Sequence, residues 1–195
     1  MSVEQTSMTT WIRVFLSAAV SLSSFVLGIF QIGPGSTESE TVLAADEVWV
    51  QVGADIDGEA AEDLSGYSVA MSSDGSRVAI GAESNNGNGV YRSGHVRIFD
   101  LVGSSWVQVG ADIDGEAAGD RSGYAVAMSA DGYRVAIGAP YNNGNGSASG
   151  HVRIFDLIGS DWVQVGADID GEAAEDLSGF SVAMSADGSR VAIGA

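Results

Sequence analysis

Gly66-Tyr-Ser-Val-Ala-Met-Ser-Ser-Asp-Gly-Ser-Arg-Val-Ala-Ile-Gly-Ala82 returns almost unchanged at 123–139 and again at 179–195. Two apolar runs, Tyr67 to Ser72 and Arg77 to Ala82, flank a four-residue linker that contains Asp74-Gly75. Alternating β-type runs around Asp-Gly predict a β-hairpin. The chain is therefore a series of repeated hairpins, and a repeat architecture carries its function on the loops of a monotonous scaffold.

Working outward, the whole chain from Trp49 is repeat: units run 49–105, 106–161 and 162–195, the last ending at Ala195. Over the first 34 positions units one and three differ only at Tyr67/Phe180 and Ser73/Ala186, so the units must share one structure. Besides the hairpin, each unit offers a strand of the type Trp49 to Ile56 and another of the type Gly94 to Leu101. Four short antiparallel strands per unit predict an all-β fold of β-propeller blades, and no 3.6-residue apolar stripe follows residue 48. The longest connection, 57–65, follows the Trp strand, so a blade begins at Gly66 and ends with the next unit's Trp strand. Two full blades plus a half result, a partial propeller, with the first Trp strand left over. About four to eight blades close a propeller, so the expectation is a homo-oligomer or a part of a longer chain.

The units differ in length at one place, where 83–94 becomes 140–150, which marks a surface loop. Its Asn-Asn-Gly-Asn-Gly core suits positive φ. Asn145-Gly-Ser147 is a glycosylation sequon that the matching Asn88-Gly-Val90 lacks.

Residues 1–44 differ in character. Arg13 precedes an uncharged run from Val14 to Ile32, and Glu38, Glu40, Asp46 and Glu47 follow it. This reads as an N-terminal hydrophobic signal or signal-anchor helix plus linker, with the repeats, 45–195, delivered outside the cytoplasm. Val42-Leu-Ala44 is the small-residue cleavage pattern; uncleaved, the run is the chain's contact with a membrane. The expected localisation is extracellular or cell-surface.

Twenty-seven Gly and two Pro fit many tight turns, and 45% apolar residues suffice for a core. The formal charge is −18, with eight cationic side chains, all Arg. So acidic a chain repels nucleic acid and anionic membrane surfaces, both of which select clustered Lys and Arg. The absence of Cys excludes disulfides and thiolate metal sites.

Ser65-Gly-Tyr-Ser-Val-Ala and Arg77-Val-Ala-Ile-Gly-Ala, with Pro140 after the second copy, resemble the FG-GAP repeats of integrin α-subunit β-propellers. The likeness covers 49–195, in the divergent form that reads Ser-Ala-Asp-Gly-Ser-Arg-Val-Ala-Ile-Gly-Ala. It implies a propeller used for adhesion or ligand binding, with calcium in some blade hairpins. The calcium loop does not carry over. Around Asp74 the ligand places hold Ala70, Ser72 and Val78, and around Asp131 they hold Ala127, Ser129 and Val135, too few oxygens for an ion that takes six to eight. These are read as plain turns.

A second calcium candidate is Asp55, Asp57, Glu59 and Asp63, repeated at Asp112, Asp114, Glu116, Asp120 and at Asp168, Asp170, Glu172, Asp176. The preferred reading is solvated acid in loops between blades, with no cofactor. His95 and His151 occupy equivalent strand starts and are read as structural; features that come in copies are poor candidates for a catalytic centre, which is single and asymmetric. Trp49, Trp106 and Trp162 are expected to fill interfaces between blades, an exposed aromatic ladder for sugars being the rival. No catalytic, metal or cofactor residue is assigned. The function expected is a non-enzymatic exported binding or adhesion module for a protein or glycan; the alternative is a propeller scaffold within a larger secreted enzyme or cell-surface receptor.

Overall fold

The computed structural model describes Trp11–Ile12, Phe15–Ala18 and residues 48–195. The described part is all-β and built as the blades of a partial propeller. The first blade is an antiparallel sheet of β5 (Ser65–Met71), β6 (Arg77–Ala82), β7 (His95–Val102) and β8 (Ser105–Gln108), in that order. The short β9 (Ile113–Asp114) continues the line of β8 along the start of β7. Thus the predicted Trp strand is one strand broken by a kink, and the blade does end with the next unit's Trp segment.

The second blade repeats this with β10 (Ala125–Met128), β11 (Arg134–Ala139), β12 (His151–Ile158), β13 (Asp161–Gln164) and β14 (Ile169–Asp170). The third unit contributes the hairpin of β15 (Ser181–Met184) and β16 (Val191–Gly194). Each hairpin turn places its Gly at positive φ, +72° at Gly75 and +74° at Gly132, as the Asp-Gly signal requires. The turn's Asp is consumed locally: Asp74 Oδ1 accepts from Ser72 Oγ at 2.7 Å and from the Ser76 amide at 3.0 Å. Those bonds, the Ser72 hydroxyl first, hold the Asp74 carboxyl at about 2. The carboxylate is thus engaged within its own turn.

Blades pack through their inner strands, β5 on β10 and β10 on β15. The principal core is shared: Ala79, Val96, Ile98 and Ile113 of the first blade meet Val126, Val135, Ile137 and Phe155 of the second. Trp106 packs on Ile56, Val78, Ile80 and Phe99, and its indole N–H donates to the Val52 carbonyl of the preceding unit at 3.0 Å. Trp162 does the same to Val109 at 2.9 Å. A buried face with the polar edge satisfied is how an interface aromatic is used. Trp49, by contrast, is largely exposed.

Polar ties reinforce the junctions. The Arg77 guanidinium forks onto Asp100 at 2.5 and 2.8 Å and donates to the Gly132 carbonyl of the next blade at 2.9 Å. Ser73 N donates to Ala130 O, and Ala130 N to Ala186 O, both at 2.8 Å, so the three hairpin turns are linked in series. On the first blade, the face that would meet a preceding blade is open: Val69 is 55% exposed, whereas its copy Val126 is 9% exposed.

The left-over Trp strand, β3 (Val48–Gln51) with β4 (Ile56–Asp57), has partners at the N-terminus: β1 (Trp11–Ile12) pairs with β4 and β2 (Phe15–Ala18) with β3, both antiparallel. The expected hydrophobic helix is corrected here in part, because Phe15–Ala18, the front of the apolar run, is extended. The rest of that run and the cleavage pattern lie outside the described residues. The physical reason lies in the register. Ile12 opposes Ile56 and Phe15 opposes Gln51, just as Val96 opposes Ile113 and Phe99 opposes Gln108. Trp11, Ile12 and Phe15 thereby stand at the register positions that His95, Val96 and Phe99 hold in the next blade. A β edge with unpaired N–H and C=O groups recruits a strand, and this segment has the pattern of the strand that edge accepts. Among the described residues no helix is long and apolar enough to cross a membrane.

Candidate functional site

Two features on this scaffold could engage a ligand: a polar cavity where units meet and a row of aromatic rings along the inner strands. The cavity, about 230 Å³, is lined by Glu59 and Asp63 of the first acidic connection, Asn85 and Asn88 of the Asn/Gly loop, His95 of β7, and Asp112 and Asp114 of the next unit. Antiparallel pairing of β9 on β7, with His95 opposite Asp114, brings the second acidic connection onto the histidine.

The acids do different work. Asp63 is buried; its Oδ2 accepts from the Ala60 amide at 3.0 Å and from Asn85 Nδ2 at 2.7 Å, so it shapes the connection and anchors the loop. Asp120 repeats this with Ala117 and Asn142, both at 2.9 Å. Asn88 Nδ2 donates to Asp114 Oδ2, which closes the Asn/Gly loop over the cavity. Burial pushes the Asp114 carboxyl up from its ordinary value. Gln108 Nε2 holds Asp112 Oδ1 at 2.6 Å, and Asp112 Oδ2 lies 3.8 Å from His95 Nδ1. Glu59 Oε2 is 3.7 Å from the same nitrogen.

His95 is 1% exposed, and its Nδ1 has no hydrogen-bond partner. Burial pushes its pKa down, which favours the neutral ring with a free lone pair. The second unit repeats the grouping: His151 Nδ1 lies 3.9 Å from Glu116 and 3.7 Å from Asp168. In each group the ligating atoms lie within 4.8 Å of one another. The sequence reading had the acids and histidines as separate features; the structure joins Glu59 with His95 and Asp112, and Glu116 with His151 and Asp168. The consecutive carboxylates Asp55, Asp57 and Glu59 do not act as a set, since Asp55 is turned to Gln51 Nε2 at 2.7 Å. A period of 56 to 57 residues between copies was visible, but the strand pairing that brings adjacent units' acids together was not.

The aromatic row comprises Tyr67, Tyr124 and Phe180, one ring per unit, with centroids 4.8 Å apart at each step. Tyr67 and Phe180 are nearly half exposed. Tyr141 adds an edge contact to Tyr124, and the Arg121 guanidinium lies over Tyr141. The hydrogen bond with Tyr67, followed by burial, pushes the Tyr124 phenol up to about 12. These rings belong to the Gly-aromatic pairs Gly66-Tyr67, Gly123-Tyr124 and Gly179-Phe180, and they form the series in ring-to-ring contact.

Residues 111–155, which hold the Gly-aromatic pair, the hairpin and the His strand of the second unit, match the FG-GAP repeat family. The chain carries an FG-GAP repeat. Within the matched residues a Cβ on Gly138 would meet the Gly179 carbonyl oxygen of the next unit at 2.1 Å, as one on Gly81 would meet that of Gly123 at 2.2 Å. No curated protein matches the chain. Among solved structures, Kuenenia stuttgartiensis hydrazine synthase is similar at 17% identity with a TM-score of 0.43, over 70% of this chain and 31% of that one. The chain thus spans about a third of that protein's length.

Proposed function

We propose that this FG-GAP repeat chain is a non-enzymatic, exported binding module whose ligand is a protein or a glycan. The observation that carries the reading is the row Tyr67, Tyr124 and Phe180: large rings in contact, repeated once per unit, with Tyr67 and Phe180 nearly half exposed on either side of a partly buried Tyr124. Apolar faces with polar edges suit sugar rings and protein side chains alike. Charge adds selectivity, since a chain of −18 favours neutral or cationic partners. Export is supported by the uncharged stretch 19–32, beyond the paired strand Phe15–Ala18, with Glu38, Glu40, Asp46 and Glu47 behind it.

The test is binding of the purified chain to a glycan array and to immobilised protein from outside the source cell. A double variant, Tyr67→Ala with Phe180→Ala, removes two half-exposed rings. Each ring contact contributes about 0.5–1.5 kcal/mol, so binding is expected to weaken about 5- to 150-fold; both rings also touch Tyr124, so the unfolding midpoint falls as well and binding is measured well below it. Unchanged binding, or a hydrolytic activity abolished by one substitution, overturns the reading.

A further inference from the structure

We propose that each unit junction holds a divalent transition-metal ion of the zinc class, ligated by Glu59, His95 and Asp112 at the first junction and by Glu116, His151 and Asp168 at the second. The sites are distinct from the aromatic row and from the hairpin turns where FG-GAP repeats place calcium.

Three independent features point there. The first is His95, a buried side chain whose Nδ1 lacks a hydrogen-bond partner and faces two carboxylates. Leaving a buried polar atom without a bond is costly, and a bound cation removes that cost. Separations of 3.7 and 3.8 Å exceed hydrogen-bonding range. They need to close by only a few tenths of an ångström, because ligands about 2.0–2.1 Å from a tetrahedral ion stand about 3.3 Å apart. Glu59 is 45% exposed and free to move that far.

The second feature is orientation. Gln108 Nε2 holds Asp112 Oδ1 at 2.6 Å, and Gln164 Nε2 holds Asp168 Oδ1 at 2.7 Å. Each Oδ2 is thereby left facing the histidine, the arrangement of a ligand fixed by an outer partner. The third is charge. Glu59, Asp63, Asp112 and Asp114 line the cavity, against two cations beside it: Arg97, with Nη1 4.0 Å from Glu59 Oε1, and Arg153, whose Nη2 donates to the Asp114 carbonyl at 2.6 Å. The surplus is negative and suits a divalent ion.

The donor set selects the metal. One imidazole nitrogen with two carboxylates suits Zn²⁺ or a neighbouring first-row ion, whereas Ca²⁺ and Mg²⁺ take oxygen alone. Three protein ligands leave a coordination position to water, and the cavity opens to solvent on the Glu59 side. Both sites join segments of successive units, so the metal would tie each blade to the acidic connection that enters it.

Calorimetric titration of the full chain with Zn²⁺, Mn²⁺ and Ca²⁺, after chelator treatment, tests this. Two Zn²⁺ per chain are expected, with Ca²⁺ at least a hundredfold weaker. His95→Ala should leave one Zn²⁺, and His95→Ala with His151→Ala none. If loss of the buried rings unfolds the chain, Glu59→Gln with Glu116→Gln, at half-exposed positions, should weaken Zn²⁺ at least tenfold with the circular dichroism unchanged. A Co²⁺ absorption band that vanishes in the histidine variants would place the ion on the imidazole. Binding of no Zn²⁺, Zn²⁺ binding indifferent to all four substitutions, or preference for Ca²⁺ overturns the proposal.

Discussion

Gly81→Ala is expected to destabilise the protein by about 3 kcal/mol or more, the upper part of the range for overpacking. A Cβ at Gly81 would lie 2.2 Å from the Gly123 carbonyl oxygen and 2.4 Å from Ser68 Oγ. Neither neighbour can yield cheaply. Gly123 is itself at φ +83°, and its carbonyl accepts the Ser68 hydroxyl at 2.7 Å. Relief requires the second blade to back away from the first, which would open the shared core around Ile98 and Ile137. Gly89→Ala is the contrast: it imposes a side chain on positive φ, +78°, a strain Gly81 does not have, but into open space, and should cost only that local strain of about 1–2 kcal/mol. Urea unfolding of both variants decides the matter. Equal costs would mean that the contact between blades is looser than described.

Arg77→Ala should be the next most damaging change, at about 2–3 kcal/mol. Breaking a fully buried charge pair costs about 3–5 kcal/mol, and the partial exposure of Asp100, 31%, lowers that figure. The same position in the next unit supplies an internal comparison. Arg134 makes the same three contacts, to Asp156 at 2.6 and 2.7 Å and to the Gly188 carbonyl at 3.0 Å, but its side chain is 33% exposed against 10% for Arg77. Arg134→Ala should therefore cost about 1 kcal/mol, near the value of surface pairs. If the two arginines cost the same, burial at the junction is not what sets their contribution. Arg77→Lys should recover only part of the loss, because an ammonium cannot fork onto Asp100 while reaching Gly132.

Much of this fold was legible from local signals. Asp74-Gly75 between two β runs specified the hairpin, and the 57–65 connection specified where a blade starts, because turn chemistry and alternation act over a few residues. The N-terminus was not legible in the same way. Phe15 to Ala18 sits inside a run whose hydropathy points to a helix, and its likeness to Phe99 and the residues after it emerges only when β3 is seen to need a partner. The candidate site divides along the same line. Asp112 and His95 could each be picked out as repeated polar residues, yet their meeting depends on a pairing that joins β7 of one unit to β9 of the next, a non-local fact. Tyr67 and Phe180 follow the repeated Ser-Gly, but nothing local says that they meet Tyr124, and a tryptophan recurring once per unit suits either a core or a surface. The Val52 and Val109 carbonyls, which accept the indole N–H groups of Trp106 and Trp162, settle which of the two it is.

The account stands on successive units being stacked blades whose junctions form the cavities. Amide hydrogen exchange on the full chain tests that most directly, at Ser73 and Ala130 in the linked turns and at Ser122 and Ser178, whose amides donate to Ser93 and Ser149 at 2.8 and 2.9 Å beside the cavities. The account predicts slow exchange at all four, within about tenfold of Ile80 and Ile137 in the core strands. Exchange at the rate of an unstructured peptide at these four, with Ile80 and Ile137 still protected, would mean that the hairpins fold but do not stack, and would contradict it.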